Sequence, residues 1–300
     1  MQRYRRLGAL LVLVLLQEGI ALAADTQKDS AYQAEIMKWR AQRVASLKEN
    51  WLPLVGLFWL KEGTNQFGSN ANDPVLLPRA KAPEQAGVFE LKDGVVTVKA
   101  LPGSDLKANG KSITEMKLEN DESGKPTVLE LGDLRMHVIK RNKRIGIRVK
   151  DTNSDRVHEF AGLQYFPIQD SYRVSGTFVP FDTPKKLAIP TVLGESVEMT
   201  SPGYVEFTIN GTKSRLSVLI EDDPHEYFFI LKDLTSGNET YPAGRFLYAS
   251  AAKDGKVTLD FNKAYTPPCG FTPYATCPLP PKENYLKVAI DAGEKYSGHH

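Results

Sequence analysis

The sequence predicts an all-β protein: two antiparallel β domains in tandem behind one short helix. Three observations carry that prediction. Short alternating runs of apolar and polar residues are separated by turn pairs such as Asp93-Gly94, Asn109-Gly110 and Asp254-Gly255, the pattern of strands joined by tight turns. The runs recur at roughly the 8–12-residue spacing of a β-sandwich. One stretch near the start spaces its apolar residues at helical intervals instead. The 300 residues, 41% hydrophobic and 25% charged, have the composition of folded domains, which excludes wholesale disorder and collagen-like repeats.

The chain opens on Met1-Gln2-Arg3-Tyr4-Arg5-Arg6, continues through an apolar run from Leu7 to Leu16 and reaches Ala21-Leu22-Ala23 before Asp25. A basic start, a short apolar core and a small-x-small site are the three parts of a secretory signal peptide. Residues 1–23 are therefore expected to be removed and the remainder to be periplasmic or secreted. The apolar run falls well short of the roughly 20 residues a bilayer-spanning helix needs, and no stable membrane insertion is expected after cleavage. The leader carries Arg3, Arg5 and Arg6 against Glu18; without them, 38 basic and 36 acidic residues become 35 of each. The formal charge of +2 thus comes from the leader, and it gives no support for nucleic-acid binding.

Residues 24–60 read as a helical lead-in. Tyr32, Ile36, Trp39, Val44, Leu47 and Trp51 recur at spacings of three to five, a helical stripe. Ser30 is the candidate N-cap, Pro53 the stop, and Arg40, Arg43 and Lys48 are expected on the wet side. The apolar block Trp51–Leu60 is expected to seal the helix against the next domain. From 61 to 150 the runs are strands: Val95-Val96-Thr97-Val98, Thr127–Leu131 and Met136-His137-Val138-Ile139 alternate cleanly.

This stretch resembles a degenerate forkhead-associated domain. The likeness lies in Gly63…Phe67-Gly68-Ser69, Asn72-Asp73-Pro74-Val75-Leu76-Leu77-Pro78, Asn109-Gly110 and Leu131-Gly132-Asp133-Leu134. The resemblance implies a β-sandwich but not the family's phosphothreonine grip. Where that motif has Gly-Arg this chain has Gly68-Ser69, and where it has Ser-Arg-x-x-His it has Pro83-Glu84-Gln85-Ala86-Gly87. Without that arginine and serine nothing evident holds a phosphate, so phosphopeptide binding is not expected.

Residues 151–300 read as a second antiparallel domain, a sandwich or barrel. Tyr172–Phe178, Tyr204–Asn210, Ser214–Glu221, Tyr227–Leu231, Gly244–Ala249 and Lys256–Phe261 are its expected strands, the last two as hairpin partners across Lys253-Asp254-Gly255. Then comes a Pro-rich segment, Thr266 to Pro281, which proline bars from regular sheet. It holds the only two cysteines, Cys269 and Cys277. In an oxidising compartment such a pair reads as one short disulfide. A metal site, a catalytic thiol and two unlinked thiols are the other readings.

The residues Thr240-Tyr241-Pro242-Ala243-Gly244-Arg245-Phe246-Leu247, Leu259-Asp260-Phe261-Asn262-Lys263-Ala264-Tyr265-Thr266-Pro267-Pro268-Cys269, Cys277-Pro278-Leu279-Pro280-Pro281-Lys282-Glu283-Asn284 and Ala292-Gly293-Glu294-Lys295 resemble the bacterial and archaeal family catalogued as domain of unknown function 1684. The Trp51–Leu60 block and Gly146–Asp151 fit it too, extending the likeness over nearly the whole mature chain. The resemblance brings no established activity.

The function expected from the residues themselves is binding of a small polar or anionic ligand by Arg173, Tyr241, Arg245, Asp260, Asn262, Tyr265 and Asn284. Arg245 would present a guanidinium fork oriented by Asp260, and Tyr265 would stack or donate. The same pair reads equally as a salt-bridged staple of the Pro-rich loop. One alternative is a hydrolase with Asp260 as general base or Cys269 as nucleophile and Arg245 stabilising negative charge. Another is an envelope scaffold without a small-molecule site. The acidic turn Glu221-Asp222-Asp223-Pro224-His225-Glu226 reads as solvated charge. No zinc-protease, serine-hydrolase or phosphate-loop signature occurs, and no cofactor or metal is implied.

Overall fold

The computed structural model describes residues 30–296 and Gly298; the expected signal peptide lies outside the described residues. Helix α1 spans residues 30–50 and ends just before Pro53. Its stripe of Tyr32, Ile36 and Leu47 is buried, and the surface it covers belongs to the C-terminal domain. No described helix is long and apolar enough to cross a membrane. Arg40 and Arg43 are not on the wet side. Arg43 is buried, with its guanidinium 4.5 Å from the Tyr265 ring centre, and Arg40 lies 4.2 Å from that of Tyr165. A guanidinium keeps its flat face against an aromatic ring at little desolvation cost, and helical spacing alone does not reveal that choice.

The first domain is a two-sheet sandwich. One sheet orders as β1 (Leu54–Trp59), β11 (Arg144–Asp151), β10 (Leu134–Arg141), β9 (Leu129–Leu131), β6 (Lys107–Ala108) and β7 (Lys111–Ser112). The other orders as β3 (Val75–Leu76), β2 (Gly63–Gly68), β4 (Gly87–Lys92), β5 (Val95–Ala100) and β8 (Glu115–Leu118). Phe67, Phe89, Val98, Leu129, Met136, Ile147 and Val149 fill the space between them. The β4–β5 and β6–β7 turns work because Asp93 and Asn109 accept positive φ, 51° for each, ahead of a glycine. The Trp51–Leu60 block departs from expectation. Most of it is β1, paired antiparallel with β11 through Leu57↔Arg148 and Trp59↔Gly146. Its apolar run is that of a strand packing Val55 and Phe58 on the sandwich core, so the lead-in ends near Pro53.

The C-terminal domain has a four-stranded sheet ordered β14 (Thr212–Ser217), β13 (Ser196–Ile209), β12 (Arg173–Pro190) and β17 (Lys256–Asp260). Facing it is the pair β15 (Glu226–Leu231) and β16 (Arg245–Ser250). Val205, Phe207, Leu216, Val257 and Leu259 from one sheet interlock with Tyr227, Phe229, Leu231 and Leu247 from the other. Each such side chain contributes about 1.5–3 kcal/mol on burial. β16 and β17 do not pair as a hairpin. β16 takes β15, and β17 takes β12 through Arg173↔Asp260. The segment from Ala251 to Gly255 carries the chain from one sheet to the other.

Candidate functional site

Strand β17 stops at Asp260, whose carboxylate caps the turn that follows: Asp260 Oδ1 accepts from the backbone N–H of Asn262 at 3.2 Å. Asn262 Nδ2 donates to Gln169 O at 2.8 Å and to the Tyr32 hydroxyl at 2.9 Å. Its Oδ1 accepts from Gln169 N at 3.1 Å. The Tyr32 hydroxyl in turn donates to Asp260 Oδ1 at 2.9 Å. The Asp260-Phe261-Asn262 motif is thus a clamp that pins α1 to the end of β17. Burial, reinforced by the Asp260 charge, holds the Tyr32 hydroxyl well above the usual phenol range. Arg173 lies directly across the β12–β17 ladder from Asp260. It is exposed, with its guanidinium 4.9 Å from the Tyr32 ring centre.

Asp260, fixed by this clamp, lines a cleft of about 500 Å³ between α1, β12, β16 and β17. Glu35 and Trp39 from the helix, Arg173, Asp260 and Lys263, and Glu226, Tyr248, Lys253 and Lys256 line it. Lys263 Nζ meets Glu35 Oε1 at 2.6 Å, and that hydrogen bond holds the Glu35 carboxyl below the usual carboxylate range. With that pair internally neutral, Arg173, Lys253 and Lys256 face Glu226 and Asp260. The balance is slightly cationic. A wider depression of about 840 Å³ lies on the outer face of β12–β14. Its lining is an open sheet face with no buried polar network behind it, so the helix-covered cleft is the better-built site.

The structure gathers only part of the expected site. Arg173, Asp260 and Asn262 come together. Arg245 does not join them. It is fully buried and bonded to Asp233 at 2.7 Å, to Ile290 O at 3.0 Å and to Ala292 O. Its partner is Asp233 rather than Asp260, because β16 and β17 lie in different sheets. Asn284 is also a staple, bonded to Ser217 N at 2.7 Å and Ile230 O at 3.0 Å. Tyr265 sits in an aromatic stack with Trp39, Phe246 and Tyr248, under the cleft rather than in it. Tyr241 packs edge-on against Tyr296.

Sequence reasoning missed Tyr32, Glu35, Trp39, Glu226 and Tyr248 as site residues and Asp233 as the partner of Arg245. Tyr32 and Asp260 are 228 positions apart, and no local pattern links them. Asp233 did carry a signal: Asp233 Oδ1 accepts from Thr235 N at 2.8 Å, the turn that an Asp-x-Thr sequence favours.

In the Pro-rich loop the two cysteines lie side by side. Cys269 N donates to Cys277 Sγ and Cys277 N to Cys269 Sγ, both at 3.3 Å. Among the described residues no group of three or more His, Cys, Asp or Glu side chains is arranged to hold a metal ion.

The model for "Protein of unknown function (DUF1684)" matches residues 158–295, the C-terminal domain. The Trp51–Leu60 block and Gly146–Asp151 lie outside that match. The solution structure of an uncharacterized protein from Haloarcula marismortui is 30% identical, covering 47% of this chain and 80% of that one with a TM-score of 0.40. Two forkhead-associated (FHA) structures are each 17% identical and cover 31% of this chain, with TM-scores of 0.23. One is described for phosphothreonine-dependent interactions, the other is the FhaA domain bound to the intracellular domain of Rv3910; they cover 92% and 97% of those chains. A likeness at that level carries no argument about function. No curated protein matches. The chain belongs to the DUF1684 family of proteins of unknown function.

Proposed function

We propose that this is an exported protein that binds a small polar or anionic ligand in its C-terminal β domain, in the cleft roofed by α1. The observation that carries this reading is the exposed Arg173 guanidinium set beside Asp260, which Tyr32 and Asn262 hold in place from behind, at a concavity of about 500 Å³. Arg173 is free to offer two parallel donors to a carboxylate, phosphate or sulfate, and Lys256 adds a second cation. Asp260 Oδ1 already accepts three hydrogen bonds, which favours a positioning role over that of a general base. Arg245 has no path to a ligand, so the anion contact passes to Arg173. The scaffold reading draws no support from the Trp51–Leu60 block: none of the exposed large hydrophobics described falls in it.

Export follows from the leader, and with it the oxidation of Cys269 and Cys277 to one disulfide. The reciprocal N–H···Sγ contacts support that pairing. The test is a thermal-shift screen of the mature protein against phosphates, sulfated and carboxylated sugars and dicarboxylates, repeated on Arg173→Ala. A ligand present at 100 times its dissociation constant stabilises by about 2.7 kcal/mol. The reading predicts a stabilising anion whose effect disappears in Arg173→Ala while the unliganded melting temperature stays put. Stabilisation that survives the substitution overturns it.

A further inference from the structure

The two cysteines differ in environment, and a cation of the other domain acts on both. Cys277 is 6% exposed, whereas Cys269 is only partly buried. Both belong to an apolar cluster that Trp51 packs against. Behind Trp51, with its guanidinium 5.7 Å from that ring's centre, lies Arg148. Arg148 stands on the outward side of β11 and is 7% exposed. Its Nε and Nη2 have no hydrogen-bond partner among the described residues. A buried guanidinium with two idle donors is costly, and burial together with the nearby Arg141 lowers its pKa to about 10. A negative charge on either sulfur acts in the opposite sense. The arrangement is therefore short of one anion: among the described residues the acids whose charge acts on Arg148 are the two thiols and Asp121, and Asp121 is engaged by Arg141 at 2.7 Å.

We propose that Cys269 and Cys277 form a redox-active dithiol in which Cys269 attacks a low-molecular-weight disulfide, Cys277 resolves the mixed disulfide, and Arg148 supplies the cation that stabilises the attacking thiolate. The inference rests on the reading that the pair closes to one disulfide, and adds that the closure is reversible and directional. In the first step the Cys269 thiolate attacks one sulfur of R–S–S–R. A Cys269 S–S–R bond forms, the S–S bond of the reagent breaks and one RS⁻ leaves. In the second, Cys277 gives up its proton and attacks Cys269 Sγ, expelling the second RS⁻. The net change is two protein thiols oxidised to one disulfide and R–S–S–R reduced to two R–SH.

The order of attack follows from the surroundings. The hydrogen bond from Cys277, aided by the Arg148 charge, brings the Cys269 thiol down; burial pushes the Cys277 thiol up. The other titratable groups facing the pair do not reverse this. Tyr241 is pushed up to about 12 by burial and stays neutral. Arg141 holds the loop of Cys277 through Thr276 Oγ1 at 3.1 Å and is paired with Asp121. His137 and Lys150 flank Arg148 on the sandwich sheet, and both are displaced toward their neutral forms, chiefly by burial.

The test uses the mature chain and oxidised glutathione. Wild type should pass to the internal disulfide with release of two glutathiones, and Cys277→Ser should stop as a one-to-one glutathione adduct on residue 269. Alkylation of Cys277→Ser by iodoacetamide should titrate below the value of about 8.5 of an ordinary cysteine. Cys269→Ser should react at least tenfold more slowly at pH 7. Adding Arg148→Met to Cys277→Ser should raise the alkylation midpoint, and Arg148→Lys, which keeps the charge, should restore most of it. A purified protein whose disulfide excess reduced glutathione leaves intact would keep the disulfide reading and overturn the redox proposal. Thiols that never join, and that ignore oxidised glutathione, would overturn both. An alkylation midpoint that neither Arg148 variant moves would overturn the role of Arg148.

Discussion

Replacing Arg245 by methionine probes the interior of the C-terminal domain most sharply. The side chain is fully buried, and methionine fills much of its volume, so the cavity created is small. What is lost is a charged hydrogen bond to Asp233 at 2.7 Å, one to Ile290 O at 3.0 Å and one to Ala292 O. Asp233 keeps Thr235 N at 2.8 Å and Thr235 Oγ1 at 2.6 Å, both on Oδ1, but its Oδ2 is left charged, buried and alone. Breaking a buried ion pair from one side costs about 3–5 kcal/mol. At roughly 2–4 °C per kcal/mol for a chain near this size, the melting temperature should fall by about 6–20 °C. Adding Asp233→Leu removes the orphaned carboxylate and should recover at least half of the loss. Calorimetry on wild type, both single variants and the double variant reads all of these quantities. A fall under about 2 °C in the single variant, or no recovery in the double, would show that the pair is not the staple described. Because Arg245 does not line the cleft, the folded variant should keep any anion response that Arg173 confers.

Three further outcomes are expected. His137, half-buried opposite Arg148, has its pKa lowered from 6.5 to about 4. It is neutral in the folded state, so stability is full above pH 6.5 and falls as the pH drops, because the unfolded chain takes a proton that the folded one refuses; the loss reaches about 3 kcal/mol near pH 4, and urea titrations of His137→Leu should show a flatter acid limb. Tyr32→Phe removes the hydroxyl linking Asp260 and Asn262 and should cost about 1–3 kcal/mol in chemical denaturation while leaving the β-sheet circular dichroism unchanged. Gly293→Ala would place a methyl group against the carbonyls of Phe261 and Ala264 at a backbone φ of 80°; it should unfold the chain at a lower temperature than Gly211→Ala, where nothing stands nearby and only the φ penalty applies.

Much of the fold was legible because it is written locally. Asp93-Gly94, Asn109-Gly110 and Asp254-Gly255 announce tight turns by residue type, and the alternation in Val205–Ile209 announces a sheet with one buried face. Which strand pairs with which was not written locally. β16 and β17 are adjacent in sequence with a good turn between them, yet β16 pairs with β15 and β17 with β12, and the predicted Arg245–Asp260 pair fell with the predicted hairpin. The site was legible by half. Asp260, Asn262 and Arg173 stood out as polar residues near a stiff loop. Their roof, Tyr32, Glu35 and Trp39, reads in sequence as an ordinary amphipathic helix. Only its docking on the C-terminal domain turns that helix into the wall of a cleft.

The anionic ligand proposed for the cleft would be held by Arg173. Calorimetric titration of the mature protein with the strongest anion from the thermal-shift screen, carried out on wild type, Arg173→Ala and Arg245→Met, tests it most directly. The account predicts one-to-one binding in wild type and in folded Arg245→Met, and at least a tenfold weaker constant in Arg173→Ala. Binding unchanged in Arg173→Ala would contradict it.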